Sequence, residues 1–220
     1  MRKASRPIGS VTRLCAAAAA ASVLVAALPA QAKSIIKNPG DHPKYSVELE
    51  PHGLVQYGWT PNWMGTGFGA GFRASIPFLD NGPVSTINNN MAISFGIDWA
   101  HFSEDWWCWD TFYRGDPRYV WYSGYGCSAN TLWFPVVLQW NFFLTDIISV
   151  FGEPGLALVH DWWSGWLPCN IAPGRCEYHH SETGLAPAFW GGARFLFNDT
   201  IGITVRLGFP SATLGLSILL

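Results

Sequence analysis

Charge is scarce in this chain. Asp, Glu, Lys and Arg make up 13% of its 220 residues, about half the share usual in soluble domains. Four of the 13 basic residues, Arg2, Lys3, Arg6 and Arg13, crowd into the first 32 positions, which hold no acid. That leaves nine scattered basic residues against 15 acids. No basic patch forms, so nucleic acid is not expected as a partner, because phosphate binding needs a basic footprint. Long apolar runs are missing too. Past residue 32 no stretch of 18 residues lacks charges and turn formers, which argues against membrane helices. There is no phosphate loop, zinc-protease helix or nucleophile elbow. No cofactor and no metal are expected.

What is present begins with an export signal. Met1 to Arg13 is basic, Leu14 to Leu28 is apolar and rich in alanine, and Ala30, Gln31 and Ala32 form a small-x-small cleavage site. This reads as a signal peptide over 1–32, cleaved after Ala32. Export implies an oxidising destination. The expected organisation is a signal peptide at 1–32, a periplasmic tail at 33–43 and one domain at 44–220.

The domain has a two-residue rhythm. Met91, Ile93, Phe95, Ile97 and Trp99 alternate with Ala92, Ser94, Gly96, Asp98 and Ala100. Period two marks the two faces of a strand. The same split runs through Phe68 to Phe78, Leu132 to Phe142, Thr200 to Phe209 and Ser211 to Leu220. It is weaker in Tyr45 to Tyr57, Ile147 to Val159 and Leu185 to Phe197. Eight strands of this length suit a tilted membrane crossing. A soluble sandwich would carry many charges on its polar face. Here that face is mostly Gly, Ala, Ser and Thr, and the other is large and apolar. Small residues suit a crowded barrel interior, and large apolar ones suit lipid. The fold class expected is therefore all-β: a closed, antiparallel, eight-stranded transmembrane β-barrel.

The connections predict its orientation. Leu144–Asp146 and Asn198–Asp199 are tight turns, whereas Phe102–Asn130 and His160–Gly184 read as long external loops. Short periplasmic turns and long external loops are usual in bacterial barrels. The link Leu79–Asn90 is long for the turn side. Most of the 13 Trp, among them Trp59, Trp99, Trp133, Trp162 and Trp163, fall toward the external side, and read as an aromatic interface band. A signal peptide, eight such strands and an alternating apolar C-terminus resemble the small OmpA/OmpX-type outer-membrane barrels over about Lys44 to Leu220. That resemblance implies an outer-membrane location among lipid and lipopolysaccharide.

Three constellations carry chemistry. Cys108 with Cys127, and Cys169 with Cys176, each fall within one expected external loop, and two loop disulfides are the simplest of three connectivities. A metal site from Cys169, Cys176, His179 and His180 matches no standard zinc spacing. Glu48, Glu50, Arg73, Asp98, Glu153, Arg194 and Arg206 share the lumen parity. Buried charges must pair, so they read as a polar plug in a narrow barrel, with a selectivity filter as the alternative. His101 and Ser103 are similar to the His-x-Ser motif of lipid A deacylases, with Glu104 and Asp105 as candidate orienting acids. The functional expectation is a structural or surface-interaction barrel, its Trp- and Tyr-rich loops braced by disulfides and facing an external protein or surface. The alternatives are a lipid A acyl hydrolase using His101 and Ser103, a narrow pore, and a soluble exported binding barrel.

Overall fold

Alternating large and small side chains give each segment one face for the outside and one for the inside, and the strands close on themselves. A computed structural model describes residues 32–61, 65–104, 108–110, 122–168 and 175–220, with side chains at 32–61, 65–103, 128–164 and 179–220. Among the described residues there are nine strands: β1 (Glu48–Gln56), β2 (Gly67–Leu79), β3 (Asn89–Glu104), β4 (Cys108–Asp110), β5 (Tyr122–Phe143), β6 (Ile148–Pro168), β7 (Arg175–Leu196), β8 (Ile201–Phe209) and β9 (Ser211–Leu219). β3 pairs with β5, and β1 pairs with β9, so eight strands form a closed antiparallel barrel. The three-residue β4 is an appendage on β5. The signal-peptide expectation falls almost wholly outside the described residues.

The barrel is inside-out relative to a soluble fold. Phe72, Ile76, Ile93, Phe95, Val136, Leu156, Leu158, Phe189, Val205, Leu214 and Leu216 all face outward and exposed, while charged and amide side chains are buried within. An apolar outer band over a polar interior is the arrangement a bilayer requires. The interior is not only small and polar, as the sequence suggested. Trp133, Val137, Val159 and Trp190 fill it as one cluster, and Leu54, Phe102 and Trp163 as another. Trp133 and Trp163 therefore leave the expected interface band, because strand parity decides their direction.

Two expectations about connections need correction. First, the segments read as long loops are largely strand. β5, β6 and β7 contain 22, 21 and 22 residues, about twice the ten or so a tilted crossing needs. Their continued backbone pairing, Tyr125 with Trp166 and Trp166 with Glu177, raises a wall past the apolar band. Aromatic residues favour such extended pairing. At the same end, beside β7, the strands β8 and β9 are joined by Pro210 alone. Second, the long link after β2 is structural. It folds against the segment that precedes β1. Asn88 donates its backbone N–H to the Ile36 carbonyl at 2.7 Å and its side-chain amide to the Asp41 carbonyl at 2.7 Å. Ile35 is buried and donates to the Leu144 carbonyl at 3.1 Å. Residues 34–43 thus cover the near end of the barrel, where β1 starts and β9 stops.

His42 pins this cover. It stacks on Phe143 at 4.3 Å and hydrogen-bonds Asn88 Oδ1 at 2.6 Å. Burial pushes its pKa down. The Asn88 bond and the Asp80 and Asp41 carboxylates oppose that shift, and Lys44 adds to it. A folded pKa below the unfolded value means the neutral ring is preferred when docked. Docking is then fully stabilised above the ordinary histidine pKa near 6.5, and weakens as pH falls through the depressed value. Spin labels at Lys37→Cys and Asp80→Cys should report one narrow distance at neutral pH and a broadened one under acid. In a His42→Gln background the two profiles should coincide.

Candidate functional site

The lumen charges form one connected structure. Asp98 on β3 accepts from Arg73 on β2 at 2.7 Å. Arg73 approaches Glu153 on β6 at 3.6 Å. Glu153 accepts from Arg206 on β8 at 2.9 and 3.2 Å. Arg206 also donates to Glu50 on β1. His52, two residues on, stands 3.7 Å from the Glu50 carboxylate and 2.9 Å from Asp98. The chain of contacts returns to its start. Acids and bases alternate around a six-membered ring. Arg194 and Glu48 make a separate two-pronged pair nearer the near end. Aromatic faces support the guanidiniums: Trp190 lies 4.3 Å from Arg73, and Phe151 lies 5.0 Å from Arg206.

All seven lumen charges named from the sequence are buried in these two assemblies. His52 shares the parity of Glu48 and Glu50 but was not among them; only the fold shows that it completes the ring. Glycines make room for it. A Cβ on Gly71 would lie 2.4 Å from both Asp98 Oδ1 and His52 Nε2, and one on Gly215 would lie 2.7 Å from Glu50 Oε1. Below the ring an amide layer of Asn89, Asn90, Gln139 and Asn141 is buried as well, with Asn141 donating to Asn90 at 2.8 Å.

The far end offers a different chemistry. Tyr57, Trp59, Asp161, Trp163, His180 and Glu182 line a cleft of about 520 Å³. Trp59 sits in the left-handed backbone region at φ 50°, a costly conformation for a bulky residue. Gln56 holds it there, donating to the Gly58 and Trp59 carbonyls at 3.2 and 3.1 Å. On the outward face, His101 and Ser103 are both exposed. The group that orients His101 is Asn130, its register partner on β5, whose Oδ1 accepts from Nδ1 at 3.0 Å. The side chains of Glu104 and Asp105 lie outside the described residues. So do those of Cys108, Cys127, Cys169 and Cys176, and hence both expected disulfides. His179 and His180 are adjacent on β7 and so point to opposite faces.

No family model and no curated protein matches this chain. Among solved structures, it is similar to Ail, the attachment invasion locus protein of Yersinia pestis. A crystal structure of Ail with the heparin analogue sucrose octasulfate shares 13% identity at a TM-score of 0.40, covering 79% of this chain and 95% of that one. A crystal structure of Ail alone shares 12% at 0.40, covering 80% and 98%. The backbone structure of this outer membrane protein in a phospholipid bilayer nanodisc shares 10% at 0.38, covering 80% and 99%.

Proposed function

We propose that this protein is an outer-membrane barrel, sealed through its lumen, that acts by surface contact through the wall raised by β5, β6 and β7. Export through the signal at 1–32 delivers it to the envelope, and the far end faces outside. The observation that carries this reading is the lopsided profile: strands of 21 and 22 residues in β6 and β7, beside a hairpin turned by Pro210 alone. A wall that outruns the apolar band has no spanning task. Rigid, Trp-rich surfaces make good contact sites. Disulfides Cys108–Cys127 and Cys169–Cys176 would brace its tips. A conducting role is disfavoured by the ring, the Arg194–Glu48 pair and the two apolar clusters, which together fill the interior. The test is a shortened hairpin, with 166–177 replaced by an Asn-Gly turn between the paired Gly165 and Tyr178. Cells expressing it should lose autoaggregation and retention on glass, while the barrel keeps its heat-shifted gel mobility. Undiminished attachment would refute the reading.

The Asn130–His101 hydrogen bond favours a second reading, an acyl hydrolase. With Nδ1–H held by Asn130, Nε2 is the basic nitrogen and could take the Ser103 hydroxyl proton as Oγ attacks an ester. Lipid A mass spectra from cells with wild type and with Ser103→Ala should then differ by one acyl chain. Identical spectra would end this reading.

A further inference from the structure

We infer that the outward face of β3, β5, β6 and β7, immediately past the apolar band, binds the sugar portion of a glycolipid in the outer leaflet. This rests on the external placement of the wall. The argument starts from strand register. Ser103 pairs with Ser128, Ser128 with Ser164, and Ser164 with His179. One step nearer the membrane, His101 pairs with Asn130, Asn130 with Trp162, and Trp162 with Ser181. Two aligned rows therefore cross four strands on a single face. One row further in, His160 pairs with Leu132 and Thr183, and below that the face turns to Phe134, Leu158 and Leu185.

The chemistry of the rows is selective. They hold hydroxyls, an amide, imidazoles and an indole, with no Lys, Arg, Asp or Glu. Outward faces of strands standing in water usually carry Lys and Glu, which also guard against aggregation. An uncharged face rich in donors and acceptors suits a ligand that is itself polyhydroxylated and neutral. Such a ligand also presents C–H faces, which pack on an indole. Ser128, Asn130, Trp162, Ser164, His179 and Ser181, with Trp163 and His180 of the opposite parity, border a cavity of about 430 Å³, within the range of small-molecule sites. The side chains are fixed by cross-strand contacts, Ser128 with Ser164 at 3.3 Å, His101 with Asn130 at 3.0 Å and His160 with Thr183 at 2.7 Å. Its height selects the source of the sugar. A headgroup in the groove leaves its acyl chains against Phe134, Leu158 and Leu185, which a free sugar cannot use.

The test uses the folded full barrel in phospholipid nanodiscs containing a neutral glycolipid, diglucosyl diacylglycerol, or the same diacylglycerol without its sugars. Native mass spectrometry after release counts the retained molecules. Wild type should retain the sugar-bearing lipid in preference to the stripped one. Ser128→Ala/Ser164→Ala and Trp162→Leu should each reduce retention about tenfold, the effect of losing one or two hydrogen bonds or an equivalent contact. Trp162→Phe should restore most of it. Heat-shifted mobility confirms that each variant is folded. Equal retention of the sugar-free diacylglycerol, or unchanged retention in the variants, overturns the inference. The shortened hairpin keeps both rows, so it should lose attachment yet retain the glycolipid, which separates failure of this inference from failure of the surface-contact reading.

Discussion

Replacing Arg206 with Met is expected to destabilise the barrel by about 3–5 kcal/mol, the cost of removing one partner from a buried ion pair. Arg206 is 1% exposed and donates to both Glu50 and Glu153. Among the described residues, its loss leaves Glu50 with the His52 contact at 3.7 Å, and Glu153 with the longer Arg73 contact at 3.6 Å. Two carboxylates would then share an interior with one counter-charge fewer. The measurement is a urea titration of the heat-shifted band in detergent. The isolated Glu48–Arg194 pair supplies the contrast. Arg194→Met alone should cost a similar amount, whereas the Glu48→Leu/Arg194→Met double variant should cost less, because both charges leave together. An Arg206→Met midpoint equal to wild type would show that the ring does not support the fold.

The second large effect is expected on the opposite face. Val136 is 59% exposed, and its register partners Phe95 and Leu156 are exposed beside it. Val136→Arg should cost about 2–4 kcal/mol when the barrel folds into vesicles, the figure for a cation near the bilayer midplane. Val136→Leu should be silent. A soluble barrel of the same shape would tolerate the arginine in that position, so an unchanged folding midpoint would overturn the membrane assignment. The two variants probe opposite faces of one rule, and their effects should add, because the sites share no partners.

Much of this was legible because strand parity is a local property. Met91 to His101 and Thr200 to Phe209 announce their two faces within ten residues or so, and the lumen charges fall on the inward parity without exception. Register is not local. Nothing in the sequence around Asn130 says that it will lie beside His101, since their pairing depends on where β3 and β5 turn. His52 was similarly visible as inward-facing but not as the residue that closes a loop of contacts through β1, β2, β3, β6 and β8. The strand ends were misread for a related reason. Trp162 and Ser164 keep the alternation, but their outward side chains cease to be aliphatic once the strand leaves lipid, so a rhythm of hydrophobicity fades where the backbone continues. Trp133 and Trp163 mislead in the opposite sense: their size suggests an interface, and their parity puts them inside.

Glu48 and Glu50 on the first strand reach over the small inward residues of the last, Thr213, Gly215 and Ser217, to meet arginines on the seventh and eighth. The contacts therefore straddle the join between chain beginning and chain end. A sheet that has not yet acquired its first strand holds Arg194 without its carboxylate and Arg206 with only half of its own. Unsatisfied guanidiniums are poorly tolerated inside a membrane, so a half-made cylinder is penalised and the finished one is rewarded in a single step. The seam acts as a charge-coded clasp, and sealing it is what makes the rest of the interior electrically quiet.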